Sequence, residues 1–360
     1  MLNMSQFGKT ASDSDSRPLS CTKYSSDGKL IATGSLSCLI NIYNEKDLNW
    51  VDTFRGHSER ITSLCWHPSY TTNTLLCSSS ADGSCILWDC KKNMQEKSSN
   101  NSDAMDVVAV ESPSQSPSPM VGVLKGHSGI VSDCKFHPSG EYIVSCSQDY
   151  TWRMWNIEST STSEVVTGKE LLLQDGHNKG ISAIAVHPDG SIVATGDVVG
   201  NILLWDVRSG QMIQLFQGHI KKISKLEFHP NGLELVSGCI DHMVRIWDLR
   251  KKKCTRCLPA HSNCISHVGY SNSGEILITS SFDGDVKIWR SRDNLLLKTL
   301  SASSNVNKFM PTPNQPIGSG ISNNNAGKIM SCDINPIDEK HIVSVSYDRS
   351  IKVWAHKDEY

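Results

Sequence analysis

A unit of short alternating segments recurs along the whole chain. Each unit begins with a segment in which apolar and polar residues alternate, and continues through a turn such as HPSG, HPDG or HPNG into a second segment rich in Ser, Val and Thr. A short turn that contains Asp leads to a third segment ending in Trp, and a fourth segment precedes the next Gly-His pair. Because a period of two is typical of half-buried strands, each unit predicts four antiparallel strands.

Two repeated residues allow these units to be counted. Six of the nine tryptophans end a third strand, and a tyrosine takes the same position in one more unit: Trp88, Trp155, Trp205, Trp247, Trp289, Trp354 and Tyr43. A histidine, usually after Gly, lies upstream at His57, His127, His177, His219 and His261. The distance from this His to the position six before the Trp is 22 residues in four units and 25 in the first. Such markers are the signature of WD repeats, so the chain is predicted to be all-β, a seven-bladed WD-repeat β-propeller with four antiparallel strands per blade.

The length is accounted for by a single propeller over residues 1–360. Seven repeats of roughly 40 to 45 residues leave room for two insertions, which we place at 91–120 and 302–328. Both are rich in Ser, Asn and Pro and are expected to be disordered, because such compositions cannot bury a core. The first contains three Ser-Pro pairs that are candidate phosphorylation sites, although a loop of this composition offers such pairs freely: Ser112, Ser116 and Ser118.

Closing the ring requires an outer strand for the last blade. After Trp354 only AHKDEY remains, which is enough to finish a third strand and too little for a fourth. Residues 1–16 are therefore expected to supply that strand, with 7–12 in the matching register, because the sheet would otherwise have an exposed edge.

Composition narrows the classes of function. Thirty-five Lys and Arg against 37 Asp and Glu give a formal charge of −2, which argues against a surface that coats nucleic acid. No apolar run approaches the roughly 18 residues of a membrane span. Thirteen cysteines are too dilute, and odd in number, for a disulfide framework, so a reducing compartment is expected, either the cytosol or the nucleus.

The repeated polar residues predict a structural network in each blade. The turn Asp can accept a hydrogen bond from the His, the His can reach a hydroxyl on the second strand, and that hydroxyl can meet the indole N–H of the Trp. The expected sets are His57, Ser80, Asp82 and Trp88; His127, Ser147, Asp149 and Trp155; His219, Asp241 and Trp247, with Cys239 at the hydroxyl position; and His261, Ser281, Asp283 and Trp289.

Three blades depart from this pattern. Val199 stands where an Asp would face His177, Asn325 or Ala326 stands at the His position of the last blade, and Asp15 stands there in the first. The first, fourth and seventh blades are therefore expected to open locally more readily than the others.

Recurring Ser, His and Asp also suggest a hydrolase. A catalytic constellation is built once, however, and this one repeats from unit to unit. We therefore expect no catalytic residue and no cofactor.

A zinc site is suggested by Cys254, Cys257, His261 and Cys264, whose spacing resembles a zinc knuckle. Residues three apart on a strand point to opposite faces, so Cys254 and Cys257 are not expected to share an ion. No metal is predicted.

The densest positive patch is the run Arg250, Lys251, Lys252 and Lys253 with Arg256. We interpret it as a solvated hairpin between a third and a fourth strand. A nuclear-import signal and a phosphate contact are the alternatives.

The face that carries the Gly-His and Asp turns is the expected partner-binding surface, because loops on a rigid scaffold commonly bind other proteins. Aromatic and Arg residues in such turns are typical of protein interfaces. The candidate contact residues are Arg60, Gln148, Tyr150, Lys179, Lys221, Lys222, His242, Phe282, Tyr347 and Arg349.

Several segments together resemble one family of WD-repeat proteins. They are the opening SRPLSCTKYSSDGKLIATGSLS, the unit QDYTWRMWNIE followed by ELLLQDGH, the segments LLWDVRSGQMIQLFQGHIKKIS and RIWDLRKKKCTRCLPAHSNCIS, and the closing VSYDRSIKVW. Over residues 17–356 the chain looks like the WD-repeat protein of the spliceosomal U4/U6 small nuclear ribonucleoprotein, the pre-mRNA-processing factor four family. The more specific features are the RPLS opening, Trp152 three residues before Trp155, and WDLR followed by a basic run and PAH.

This resemblance implies a non-catalytic protein-interaction scaffold for pre-mRNA splicing, located in the nucleus. Its implied partners are splicing-factor proteins of the U4/U6 snRNP and the tri-snRNP, with snRNA associated largely through those proteins, and with no membrane and no small-molecule substrate. The chain is expected to depart from the family in its two insertions and in the absence of the segment that precedes the propeller there.

A different class of function is suggested by Arg208 in WDVR and Arg250 in WDLR. Both match the short WDxR pattern of propellers that serve as substrate receptors for cullin-based ubiquitin ligases. The pattern is weak, because Asp and Arg are common after the third strand of WD repeats. Co-purified components distinguish the two: snRNAs with splicing proteins, or a cullin and its adaptor.

Overall fold

The computed structural model describes residues 4–5, 10–12, 17–69, 75–90, 120–157, 168–301 and 327–356, with the backbone alone for the first two segments. Outside the described residues lie Ser112, Ser116, Ser118, Asp15, Asn325, Ala326 and almost all of the two insertions. No helix within the described ranges is long and apolar enough to cross a membrane.

Twenty-nine strands in these ranges form seven antiparallel sheets, the blades of a propeller. β1 (Met4–Ser5) and β2 (Thr10–Ser12) belong to the seventh blade. The first three blades contain β3 (Leu19–Tyr24), β4 (Leu30–Ser35), β5 (Leu39–Asn44) and β6 (Trp50–Arg55); β7 (Ile61–Trp66), β8 (Leu75–Ser80), β9 (Ser84–Asp89) and β10 (Met120–Lys125); and β11 (Val131–Phe136), β12 (Tyr142–Ser147), β13 (Trp152–Asn156) and β14 (Lys169–Gln174).

The fourth, fifth and sixth blades contain β15 (Ile181–Val186), β16 (Ile192–Asp197), β17 (Ile202–Asp206) and β18 (Met212–Phe216); β19 (Ile223–Phe228), β20 (Glu234–Cys239), β21 (Met243–Asp248) and β22 (Lys253–Pro259); and β23 (Ile265–Tyr270), β24 (Ile276–Ser281), β25 (Asp285–Arg290) and β26 (Leu295–Ser301). The seventh is completed by β27 (Ile329–Ile334), β28 (His341–Ser346) and β29 (Ser350–His356). The predicted all-β, seven-bladed architecture is confirmed.

Burial follows the place of each strand in its blade. In the second strand β20, every residue after the first is buried, because neighbouring blades cover both faces of the sheet there. The outer strand β22 alternates between exposed and half-buried residues. The second strands therefore carry small and aliphatic residues on both faces, and the outer strands keep the two-residue alternation.

The hydrophobic core consists of layers between neighbouring blades. In the layer between the first and second blades, Phe54 and Trp88 stack with ring centroids 5.4 Å apart, and both side chains are fully buried. Truncating a buried aromatic residue of this kind to Ala costs about 3 to 5 kcal/mol. The third-strand tryptophans thus join six of the blades to the blade before them, and Tyr43 packs against the seventh blade in the first.

Both ends of the described chain meet in the seventh blade. The third strand of this blade, β29, pairs with β28 on one side and with two N-terminal strands on the other, through Met4 opposite His356 and Thr10 opposite Lys352. We call this pairing of the two chain ends the seam. Beside it, an ion pair also links the first and seventh blades, with Lys23 Nζ 2.6 Å from Asp333 Oδ1.

The hydroxyl of each polar network lies two residues earlier than predicted. Ser78 Oγ is 2.8 Å from His57 Nε2 and accepts from Trp88 Nε1 at 2.8 Å, while His57 Nδ1 lies 2.8 Å from Asp82. The same contacts are made by Ser145 with His127 and Trp155, by Ser237 with His219 and Trp247, and by Thr279 with His261 and Trp289.

The predicted hydroxyl positions Ser80, Ser147, Cys239 and Ser281 are therefore wrong. Residues two apart on a strand share a face, so the pattern alone did not separate the two candidates. Instead, these residues fix the turn after the second strand. Ser80, for example, accepts from the amide N–H of Asp82 and donates to the carbonyl of Arg60.

The expected gap in the fourth blade is also wrong. Asp197 lies two residues before Val199 and places a carboxylate oxygen 3.5 Å from His177 Nδ1. Thr195 completes this network, 2.7 Å from His177 Nε2 and 2.7 Å from Trp205 Nε1. In the seventh blade, Trp354 Nε1 donates to Ser344 Oγ at 2.9 Å.

Replacing the shared hydroxyl tests the corrected network. Ser78→Ala leaves the ring nitrogen of His57 and the indole N–H of Trp88 without their partner, so we expect the free energy of unfolding to fall by about 2 to 3 kcal/mol. Ser78→Thr keeps the hydroxyl and is expected to be nearly neutral, because Thr already fills this position in three blades, at Thr33, Thr195 and Thr279. Urea denaturation measures both. Equal losses in the two variants would contradict the assignment.

Stability is expected to depend on two buried rings between neutral and mildly acidic pH. Burial lowers the pKa of His127 and of His219 below their ordinary value of 6.5, and hydrogen bonds to Asp149 and Asp241 offset this only in part. The unfolded chain therefore binds more protons below that value. The stabilisation from the neutral rings is complete above the unfolded pKa and is lost as the pH falls through the lower folded pKa.

The urea midpoint is accordingly expected to be lower at about pH 5.5 than at about pH 7.5. Imidazole resonances in NMR spectra provide the direct check. A folded-state ring of His127 or His219 that gains its proton at or above its ordinary pKa would contradict the prediction.

Candidate functional site

The mouth of the central channel is a concave surface to which all seven blades contribute. It opens on the face of the Gly-His and Asp turns and forms a cavity of about 510 Å³. We define the channel mouth by eight of its lining residues, namely Leu36, Arg60, Ile130, Gln148, Val198, Lys222, Ile240 and Phe282. Most of its rim is apolar, and the polar groups are few and distinct.

A bulge in every first strand shapes the floor of this mouth. The pairing register of each first strand with the second shifts after the first residue, so one residue per blade is left out of the ladder. The displaced residues are Ser20, Thr62, Ser132, Ser182, Ser224, Ser266 and Met330. Six of the seven thus present a hydroxyl around the channel axis.

Some of these hydroxyls connect neighbouring blades. Thr62 donates to the carbonyl of Val131 at 2.6 Å, and Ser182 donates to the carbonyl of Ile223 at 2.6 Å. The Oγ atom of Ser224 is buried and has no hydrogen-bond partner. The floor is therefore rigid, and it retains a polar group that a bound molecule could satisfy.

The electrostatics of the channel mouth favour an anion. Arg60 of the second blade and Lys222 of the fifth both line it, and the described residues that line the cavity include no Asp or Glu. Burial lowers the pKa of Lys222, and the nearby positive charge of Arg60 lowers it further. A carboxylate or phosphate bound between these cations would relieve their mutual repulsion.

Ion pairs cross the channel below the mouth. Lys225 of the fifth blade lies 2.8 Å from Asp133 of the third, and Lys135 lies 3.7 Å from Glu227 in the reverse direction. Burial lowers the pKa of Lys225, but the attraction of Asp133 outweighs it and leaves the pKa raised. The intervening fourth blade has Ala183 on its first strand, whose small side chain leaves room for these contacts. The pairs fix the spacing of blades around the channel.

One turn position is left-handed in all seven blades. It lies between the second and third strands and is Gly in three blades, at Gly83, Gly200 and Gly284. The other four blades place Cys38, Tyr150, His242 and Arg349 there, with φ between 71° and 74°. A side chain in this conformation costs about 1 to 2 kcal/mol, which is the kind of strain that is often found at functional sites.

The ten predicted contact residues divide into three groups. Arg60, Gln148, Lys222 and Phe282 lie together at the channel mouth, and Tyr150, His242 and Arg349 occupy strained turns further out. Lys179, Lys221 and Tyr347 lie outside the lining of the mouth cavity.

Gln148 has a structural task within this set. Its Nε2 donates to Ser132 at 2.9 Å and to the carbonyl of Ile181 in the next blade at 3.2 Å.

The apolar rim residues Leu36, Val198 and Ile240 were missed by the sequence prediction. Each occupies the position directly before the turn Asp or its equivalent, and this position, compared between units, is the signal that could have found them.

The suggested zinc-knuckle residues are not brought together. Both ring nitrogens of His261 are engaged, by Asp283 at 3.0 Å and Thr279 at 2.8 Å. Cys254 donates to the carbonyl of Arg256, Cys257 is exposed, and Cys264 lies at the channel mouth.

The basic run lies on the opposite face, in the turn between β21 and β22. Arg250, Lys251, Lys252 and Lys253 are exposed there, and the backbone amides of the first two bind the Asp248 carboxylate. Arg256 lines a separate cavity of about 710 Å³, which also contains Glu234 and Glu275 and is therefore of mixed charge.

Relieving the strain at one turn tests its origin. Tyr150 is 50% exposed and has φ of 74°, so Tyr150→Gly is expected to raise the free energy of unfolding by about 1 kcal/mol. Tyr150→Ala keeps a Cβ in the left-handed region and is expected to give no such gain. Urea denaturation compares the two, and a gain of the same size in both variants would contradict the prediction.

Comparisons with curated proteins find several partial relatives. The chain is 31% identical over 161 residues to "U4/U6 small nuclear ribonucleoprotein PRP4" of Saccharomyces cerevisiae, which covers 44% of this chain and 28% of that protein. It is 28% identical over 185 residues to "Pre-mRNA-processing factor 19" of Caenorhabditis elegans, covering 51% and 30%, and 26% identical over 211 residues to "Periodic tryptophan protein 2" of Arabidopsis thaliana, covering 53% and 22%. The chain spans less than a third of the length of each.

Two family models match the chain. The model for the N-terminal domain of nucleolar protein 10-like proteins matches residues 210–331. The model described as WD domain, G-beta repeat matches residues 8–44, 49–89, 118–156, 168–206 and 315–355, which together exceed half of the chain. With seven four-stranded blades and the repeated His, Asp and Trp contacts, the chain belongs to the WD-repeat family.

Proposed function

We propose that this chain is a non-catalytic protein-interaction scaffold whose channel mouth binds an acidic segment of a partner protein. The observation that carries the proposal is the lining of the mouth, where apolar side chains surround Arg60 and Lys222 and none of the described lining residues is acidic. Apolar contacts supply affinity at protein interfaces, and charge complementarity supplies orientation. The rigid floor limits the entropy lost on binding.

The absence of catalysis in this proposal is supported by the role of the Ser or Thr, His and Asp sets. In each set the His is buried and bonded at both ring nitrogens, and the hydroxyl accepts from an indole N–H. These groups are satisfied within the blade and repeat around the ring. A nucleophile would instead need one hydroxyl with a free approach for substrate.

The proposed partners are proteins of the spliceosomal U4/U6 snRNP and tri-snRNP, in the nucleus. Support comes from the similarity to proteins named as a U4/U6 small nuclear ribonucleoprotein and a pre-mRNA-processing factor. The formal charge of −2 favours association with snRNA through partner proteins rather than through a basic surface of this chain. In this proposal the chain takes no small-molecule substrate.

Affinity purification of the tagged chain from its own cells, followed by RNA sequencing and protein mass spectrometry, tests both parts. The wild-type chain is expected to recover U4 and U6 RNA together with splicing proteins. In the double variant Arg60→Glu, Lys222→Glu, recovery is expected to fall about tenfold, because reversing two charges repels an acidic segment.

The matched control is Lys251→Glu, Lys252→Glu, which makes the same change of charge on the opposite face and is expected to keep full recovery. Absence of both RNAs from the wild-type sample at ordinary salt would overturn the splicing proposal. Recovery of a cullin and its adaptor would favour the alternative receptor function. Equal recovery by the two double variants would show that the binding surface lies outside the channel mouth.

A further inference from the structure

Four buried cysteines from four strands meet between the second and third blades. Cys65 on β7, Cys77 on β8 and Cys85 on β9 face the third blade, and Cys134 on β11 faces back towards them. All four are free thiols with buried side chains. We call these four residues the thiol cluster.

Three sulfur atoms of the thiol cluster are close enough to share one ion. The Sγ atoms of Cys65 and Cys134 are 3.8 Å apart, and those of Cys65, Cys77 and Cys134 all lie within 4.8 Å of one another. Cys85 is buried in the same layer of the core and would supply the fourth sulfur. A tetrahedral zinc site with Zn–S bonds of about 2.3 Å requires S–S separations of about 3.8 Å.

The repeats provide an internal comparison for this cluster. At the position of Cys77, the other blades carry Ala32, Val144, Ala194, Val236, Ile278 and Val343. The position of Cys85 is apolar elsewhere too, as in Val244 and Val286. Aliphatic side chains therefore satisfy the packing of the same fold at these positions. Packing alone therefore does not call for sulfur at these two positions.

The surroundings suit a metal ion that enters after or during folding. Cys65 lines a cavity of about 300 Å³ at the lower end of the channel, which gives a route from solvent. Lys135 is also part of that lining. We propose that the thiol cluster binds one Zn²⁺ as a structural tetrathiolate site that joins the second and third blades.

Binding is an exchange of ions without oxidation. Four S–H bonds lose their protons to solvent, four Zn–S bonds form, and the oxidation state of every atom is unchanged. The site would join β11 to the three inner strands of the preceding blade. Such closed sites with four protein ligands stabilise folds and leave no position for catalysis.

A second group of possible ligands, His219, Cys239 and Asp241, does not share these features. Both ring nitrogens of this His are bonded within its network, and the thiol donates to the carbonyl of Lys221. The same arrangement of His and Asp recurs in other blades with Ser in place of the thiol. This group is therefore the structural network of the fifth blade.

Metal analysis of the full chain tests the proposal. The protein is produced in medium supplemented with zinc, purified without a metal-binding tag, passed over a chelating resin and analysed by mass spectrometry for metals. We expect about one zinc per chain, released when a mercurial reagent titrates the thiols. In Cys77→Val and Cys134→Val, zinc content is expected to fall at least about tenfold, because either change removes a ligand.

Cys332→Val is the matched control. It is buried and occupies the same position in the seventh blade as Cys134 does in the third, but it lies outside the thiol cluster, so it should retain its zinc. Because the ligand variants can fail to fold, the wild-type chain is also refolded with Co²⁺ alone, which should give the strong visible bands of tetrahedral cobalt thiolate. Wild-type protein that contains no zinc, or that contains a disulfide within the cluster, would overturn the proposal, as would a cobalt spectrum typical of octahedral coordination.

Discussion

An indole N–H buried between two sheets needs an acceptor, and a single hydroxyl on the second strand of the blade supplies it. That hydroxyl also meets a His ring, and the ring reaches the Asp at the turn, so one line of hydrogen bonds runs from the interior of the blade to its surface. Leaving any member unpaired would cost about 1 to 3 kcal/mol. The fixed spacing of the markers along the chain follows from this requirement.

The fold could be predicted because its requirements repeat. Strand alternation, the Trp position and the His spacing recur in unit after unit, so each unit supports the interpretation of the others. The hydroxyl could not be placed in the same way, since Ser78 and Ser80 share a face of one strand and both are buried. In the fourth blade, the Asp197 carboxylate accepts from a turn amide and also lies beside the His ring. A pattern that expects the Asp two residues later does not predict this.

The candidate sites show where sequence reasoning ends. Charged and aromatic turn residues such as Arg60 and Phe282 were found because they follow recognisable markers, but the apolar rim of the channel mouth depends on how seven separate turns converge. The thiol cluster depends on residues from two units. Cys65 and Cys134 are far apart in sequence and meet only because their blades are neighbours. Contacts between blades depend on how the blades are arranged in the ring, and the residue spacing within one unit does not predict them.

The division of tasks within the blade explains how one framework can carry a specific surface. Hydrogen-bonding residues inside each blade hold the turns in place, and cross-channel ion pairs hold blades relative to one another. Side chains at the mouth contribute little to either task, with Gln148 as an exception. These side chains can therefore vary to suit a binding partner without loss of the fold. Strained residues such as Tyr150 can be retained, because the other interactions of the blade outweigh their strain energy.

The pairing of β29 with strands at the other end of the chain has a consequence for biosynthesis. On a ribosome, β1 and β2 emerge long before β29 exists, so they remain without their partner strand while the intervening blades are made. The seventh sheet is thus the last to be completed, and until then the nascent chain exposes the unpaired edges of its terminal blades. A chaperone that shields these edges would act on the unclosed ring and would be released when the seam forms.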